Sequence, residues 1–206
     1  EVRDIYFVVD VSRSMLANDF SPNRLEVAKK YIIEFVEMRS FDRIAFVMFA
    51  EKIITLSPLT FDHNSVIDRV SEIKIGFLGN GTNIGDGIGL AVERLKESNV
   101  EGKIIVLLTD GVSNVGNITP KQATAFAVKN KIKIYSIAIG STGKDQIPYR
   151  VGGKTMYQNI PGGNVDEQTL REVSSSTGGR FFSASTPNAL KEVFINISKI
   201  EKTKIE

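Results

Sequence analysis

Six short, densely apolar runs, spaced by segments of helical periodicity, constrain this chain more than anything else in it. Residues 5–10 (IYFVVD), 44–49 (IAFVMF), 104–109 (IIVLLT) and 132–139 (IKIYSIAI) each read as a buried strand ending at a polar turn. Residues 52–56 (KIITL) follow the second run after only Ala50 and Glu51. A gap that short admits a hairpin but no helical crossover, so this strand is expected antiparallel to its predecessor. Residues 180–183 make a weaker sixth strand.

The intervening segments carry helix signals. Asn23 followed by Glu26 resembles a capping box, and Leu25, Ala28, Ile32, Phe35 and Val36 then share one face. Ile84, Ile88, Ala91 and Leu95 form a second stripe, thinned by Gly85, Gly87 and Gly89 for close packing on a sheet. Thr119-Pro120-Lys121-Gln122 opens another helix, with Thr as N-cap and Pro at the first position. A helix over 166–177 stops at Gly178-Gly179, and Thr186-Pro187 opens the last one, with Leu190, Val193, Phe194 and Ile197 inward. Strands this uniformly apolar need cover on both faces. The alternation therefore predicts an α/β, doubly wound (Rossmann-like) fold: a mostly parallel six-stranded sheet with one antiparallel edge strand and helices on both faces. The one long irregular stretch, 141–165, is expected to hold a small hairpin, 147–149 against 155–157, turned at Gly152-Gly153.

A length of 206 residues suits one domain over 1–206. The formal net charge of +2, with no long block of one sign, gives no electrostatic footprint for nucleic acid. The absence of cysteine excludes disulfides, thiolate metal sites and cysteine nucleophiles. The longest dense apolar run, 104–108, is far short of the roughly 20 residues of a membrane span, and no signal peptide is visible. The chain starts at Glu1 and stops at Lys204-Ile205-Glu206, which reads as a fragment of a longer protein whose anchors lie beyond either end.

In an open α/β sheet, ligands bind beyond the carboxyl ends of the strands where strand order reverses. Three polar segments fall in such places: Asp10-Val11-Ser12-Arg13-Ser14, Gly81-Thr82-Asn83 and Thr109-Asp110-Gly111. With the first strand beside the 104–109 strand, about 5 Å away, Asp10 and Asp110 emerge close together among hydroxyls. Two buried like charges at that range are unfavourable unless something positive sits between them. A hard dication meets that need, because Mg²⁺, Ca²⁺ and Mn²⁺ prefer carboxylate, hydroxyl and water oxygens. Held by so few protein charges, it still attracts one more anionic oxygen from outside.

These segments, DVSRS (Asp-x-Ser-x-Ser), GTN and TDG, resemble in order and spacing the metal-ion-dependent adhesion site of von Willebrand factor A domains. The resemblance implies Asp10, Ser12, Ser14, Thr82 and Asp110 as metal ligands, direct or through water, for a divalent cation, Mg²⁺ first with Mn²⁺ or Ca²⁺ as alternatives. It also implies a partner protein that supplies a Glu or Asp to the ion. DVSRSMLANDFSPNRLEVAK, DRIAFVMFAEKIITLSPLTFDH, GTNIGDGI, KIIVLLTDGVSNVG and TGGRFFSAS further resemble the bacterial Bat, or aerotolerance-type, branch across nearly the whole chain. That branch implies a domain on the periplasmic face of the inner membrane, held by transmembrane segments outside this chain. It also implies neighbouring Bat proteins or a MoxR-type ATPase complex. Arg13 departs from the pattern, which usually has Gly there; a long cation at the rim is expected to repel or select partners. The rim itself is expected from residues 14–20, 79–83 and 112–117.

Other motifs carry less. Asp86 suits a helix N-terminus as well as a place behind the metal ligands, and His63, the only histidine, belongs to a helix-start cluster with Asp62 and Asn64. Gly153-Lys154-Thr155 ends like a phosphate loop, but Pro148 stands where that motif needs its first Gly. Asn117 and Asn196 begin glycosylation sequons, a pattern with many chance matches. Three functions follow: a metal-dependent interaction module without enzyme activity, a metal-independent scaffold, and a Mg²⁺-dependent phosphohydrolase using Asp10 as nucleophile. The last wants a general acid two residues on, where Ser12 stands.

Overall fold

The computed structural model describes residues 2–141, 146–159 and 165–202. Eight strands and six α-helices alternate along it: β1 (Arg3–Asp10), α1 (Arg24–Met38), β2 (Arg43–Phe49), β3 (Ile53–Thr60), α2 (His63–Ser71), α3 (Ile84–Leu95), β4 (Gly102–Thr109), α4 (Pro120–Lys129), β5 (Lys133–Ile139), β6 (Gln146–Val151), β7 (Lys154–Asn159), α5 (Glu167–Ser176), β8 (Phe181–Ala184) and α6 (Pro187–Ile200). Six strands form one sheet in the order β3-β2-β1-β4-β5-β8. All pairings in it are parallel except β2 with β3, so the short connection, three residues in the structure, sets the antiparallel edge as expected. β6 and β7 make a separate two-stranded sheet.

Alternate residues of β1 feed two cores. Ile5, Phe7 and Val9 pack under α1, α2 and α6, where Phe7 meets Phe35 edge-on at 5.6 Å and Phe35 meets Phe194 at 5.9 Å. Tyr6 and Val8 pack under α3, α4 and α5. Both faces of the central strands are covered, which is why their sequences show no polar alternation.

The helix ends follow their local chemistry. Asn23 Oδ1 accepts the Glu26 N–H at 2.9 Å, but the Glu26 carboxylate takes Lys29 Nζ at 3.0 Å, so the expected box is only half closed. Thr119 and Gln122 close a full capping box, and Asp62 caps α2 just before His63. The glycines of α3 differ from expectation. Only Gly87 faces the sheet, against Val8. A Cβ on Gly85 would lie 2.1 Å from the Ile118 carbonyl oxygen, and one on Gly89 would strike the Ile118 side chain. Two of the three therefore admit the connection between β4 and α4, not a strand.

The predicted hairpin forms as β6 and β7, longer than expected at both ends and paired Tyr149 to Met156. Its turn is Gly152-Gly153, with φ of +55° and +78°, the left-handed pair that two-residue hairpin turns require. The rest of the irregular stretch, 142–145 and 160–164, lies outside the described residues.

Candidate metal centre

Strand order reverses at β1 and β4, which lie side by side with Val9 opposite Leu108. Asp10 and Asp110 therefore leave neighbouring strands at the same end of the sheet. Asp10 is fully buried. Its Oδ1 accepts the Ser12 N–H at 2.8 Å, and its Oδ2 accepts the Thr109 hydroxyl at 2.8 Å. Ser14 Oγ donates to Asp110 Oδ1 at 2.7 Å and lies 3.0 Å from Ser12 Oγ. The Ser14 position comes from a 3-10 turn over Arg13–Leu16, anchored by the buried Met15.

Thr82 arrives from the third segment. Asn114 grips its backbone on both sides, accepting the Thr82 N–H at 2.9 Å and donating its own N–H to the Thr82 carbonyl at 3.0 Å. The side chain rests on Gly111, where a Cβ would stand 3.4 Å from the Thr82 hydroxyl. All five residues expected at the site thus converge. Asp86 takes no part: its carboxylate receives Asn83 Nδ2 and the N–H groups of Asn117 and Ile118, pinning the 112–117 loop to α3. These bonds hold its carboxyl below the usual range despite burial, which works the other way. His63 Nε2 meets the Asp42 carbonyl at 2.6 Å, at the opposite end of the sheet.

The cation that touches the site is Arg24, not Arg13. Arg13 is exposed, whereas Arg24 is buried at the first turn of α1. Its Nη1 donates to Asp110 Oδ2 at 3.0 Å, and its Nε and Nη2 fork onto Asp19 at 2.8 and 2.7 Å. Asp19 also accepts the Ser141 N–H at 2.8 Å, so one guanidinium joins the metal-site carboxylate to the loop after β5. The sequence does hold a signal for this. A positive charge at a helix N-terminus opposes the macrodipole, and a broken local rule marks a residue placed for tertiary reasons.

Burial pushes the Asp110 carboxyl up to about 7, with the Asp10 charge adding to it and Arg24 and Ser14 opposing. Burial also raises Asp10 against the hydrogen bonds of Ser12 and Thr109. Asp19 goes the other way: burial works to raise it, but the Arg24 and Ser141 hydrogen bonds bring it below the usual range. Arg24 pairs with Asp19 and Asp110, and Asp10 adds a further buried carboxylate, so these four residues carry a net charge of two minus when all the carboxyls are ionised. Among the described residues no cluster of three or more His, Cys, Asp or Glu is arranged to hold a metal. The donor set here is instead two carboxylates with three hydroxyls, which fits a hard, oxygen-seeking dication.

A doubly wound sheet with a carboxylate and hydroxyl cluster at its switch point defines a class of open-sheet α/β domains. The chain belongs to the von Willebrand factor type A domain family, whose model matches residues 4–196. An uncharacterized protein of Borreliella burgdorferi is 36% identical over 96% of this chain and 58% of its own length. A UPF0353 protein of Nocardia farcinica is 31% identical over 92% of this chain and 60% of its own. The chain thus spans about six-tenths of the curated relatives it matches. Conserved hypothetical protein BatB of Bacteroides thetaiotaomicron superposes with a TM-score of 0.80 at 27% identity, covering 98% of this chain and 100% of that one. The Bat resemblance accords with this neighbour. Proximal thread matrix protein 1 of the mussel byssus, solved with a zinc-occupied MIDAS motif, shares the fold at a TM-score of 0.73 and 22% identity, over 96% of this chain and 45% of that one.

Proposed function

We propose that this domain is a protein-interaction module that holds one divalent cation through Asp10, Ser12, Ser14, Thr82 and Asp110 and presents it to a carboxylate of a partner protein. The observation that carries the reading is the convergence of Asp10, Ser12, Ser14 and Asp110 through bonds of 2.7 to 3.0 Å at the sheet's switch point. The zinc-occupied motif of the mussel protein on the same fold supports it. A bound dication supplies the Lewis-acidic attraction for the incoming carboxylate. The chain's own residues do the rest. Thr109 and the Ser12 N–H fix the Asp10 carboxylate, Ser14 and Arg24 fix Asp110, and Asn114 fixes Thr82. Mg²⁺ is the first candidate, with Mn²⁺ or Ca²⁺ as alternatives. The reading assigns no catalysis, since Ser12 supplies no general acid beside Asp10.

Calorimetric titration of Mg²⁺ and Mn²⁺ tests the site. One saturable site in the wild type, weakened at least about 100-fold in Asp10→Ala, is the expected result; the factor corresponds to about 2.7 kcal/mol. Equal binding by both proteins overturns the assignment.

A second reading has an observation of its own. Arg24 already compensates Asp110 within the fold, as a scaffold working without metal requires. It predicts partner binding that chelation leaves unchanged. On the resemblance to the Bat branch we further propose a place on the periplasmic face of the inner membrane, with other Bat proteins or a MoxR-type ATPase complex as partners. Among the described residues no helix is long and apolar enough to cross a membrane, so that placement calls on segments outside this chain.

A further inference from the structure

The β6–β7 ribbon stands outside the main sheet yet beside the candidate metal centre. Gln146 pairs with Asn18, through the Asn18 N–H to its carbonyl at 3.3 Å and its own N–H to Asn18 Oδ1 at 3.4 Å. Asn18 precedes Asp19, which holds Arg24 and through it Asp110. Beyond that base only Ile147 is buried. Every residue from Arg150 to Tyr157 is exposed, including Val151 at 59%, Met156 at 46% and Tyr157 at 55%. Met156 and Tyr157 are adjacent, so they point to opposite faces of the ribbon, and both faces are exposed from Arg150 to Tyr157. A two-stranded ribbon is marginal on its own, and no third strand joins it among the described residues. Such an edge is a template for an added strand.

Its charge selects the partner. Residues 146–159 contain Arg150 and Lys154 and no Asp or Glu. The register puts Tyr149, Val151, Lys154 and Met156 on one face, and Arg150 with Tyr157 on the other. Each face thus offers apolar surface with one cation. Arg13, also exposed, belongs to the 3-10 turn against which β6 packs.

We propose that β7 is a docking edge for an extended, acidic segment of the protein partner, whose apolar residues cover Tyr157 on one face while its alternate carboxylates meet Lys154 on the other, with Arg150 adding to the attraction. This deepens the metal-dependent reading and rests on it only for the partner's further carboxylate at the ion.

The test uses a fluorescein-labelled decapeptide of alternating Glu and Val, and its Lys-for-Glu counterpart, by anisotropy in Mg²⁺ at low salt. The proteins are wild type, the Arg150→Glu/Lys154→Glu double variant, Tyr157→Ser and Asp10→Ala. Saturable binding of the acidic peptide alone, weakened at least about 10-fold by the double variant and by Tyr157→Ser, is expected. Mn²⁺ affinity and melting temperature stay unchanged in both. Slowed amide exchange over 154–157 on peptide addition places the contact on β7. Binding lost in Asp10→Ala but kept in the hairpin variants overturns the docking edge and keeps the metal site. Binding lost only in the hairpin variants keeps the edge and removes the metal from its recognition. No saturable binding, equal binding of the Lys peptide, or self-association through the ribbon in sedimentation each overturns the proposal.

Discussion

Arg24 sits where two demands meet, pairing a metal-site carboxylate on one side and Asp19 on the other. Breaking a buried, hydrogen-bonded ion pair by removing one partner costs about 3–5 kcal/mol. Arg24→Met should therefore lower stability by roughly that amount in the absence of divalent ions. Part of the loss should return with Mg²⁺, because the ion compensates the carboxylate that Arg24 no longer faces. Thermal melts with and without saturating Mg²⁺ check this: the Mg²⁺-induced rise in Tm should be larger in Arg24→Met than in the wild type, and an equal rise would detach Arg24 from the site. Arg13→Ala, at an exposed position, should leave Tm unchanged and Mg²⁺ affinity within about twofold.

The elements around the site are held by caps, close backbone approach and one ion-pair cluster at the far pole. Gly85 allows α3 to meet the Ile118 carbonyl. Gly85→Ala should destabilise by about 1–3 kcal/mol, read as a shift in the denaturant midpoint with the slope unchanged. At the end of α6, Glu201 accepts Arg3 Nε at 2.8 Å, Lys133 Nζ at 2.7 Å and the Tyr135 hydroxyl at 2.5 Å. This cluster ties the last helix to β1 and β5. Burial works to raise the Glu201 carboxyl, but the bonds from Lys133 and Tyr135 leave it below its usual 4.5. A carboxylate with a depressed folded pKa stabilises above its unfolded value and loses that contribution as pH falls through the folded one. Wild-type stability should thus drop below pH 4.5 by a component that Glu201→Gln lacks. Comparing the acid limbs of the two stability–pH curves shows it; parallel limbs would count against the assignment.

Taken together, the sheet and its six flanking helices put every carboxylate and hydroxyl of the site at one pole and the Glu201 cluster at the other. Ligand binding to the folded state alone adds stability by mass action, about 2.7 kcal/mol at one hundred times the dissociation constant. Saturating Mg²⁺ should therefore raise the wild-type Tm by several degrees and leave that of Asp10→Ala unmoved, a comparison that differential scanning calorimetry makes directly. How far this architecture could be read beforehand depends on the range of the interaction concerned. The strands, the helix stripes, the Thr119 cap, the Gly152-Gly153 turn and the three polar segments were all legible. Each rests on periodicity, on a backbone preference or on a motif a few residues long, and such terms act within one element. That β1 and β4 are parallel neighbours, and hence that Asp10 meets Asp110, is a premise the sequence does not supply and the strand order decides. What the chain's order alone left open is what crosses between elements. The packing of Gly85 and Gly89 on a loop, the seating of β6 beside Asn18, and the pairing of Arg24 with a carboxylate 86 residues away were decided only by the fold. Such contacts depend on loop paths and helix tilt, which no local preference encodes, and burial then strengthens the electrostatic interactions that those small geometric choices create.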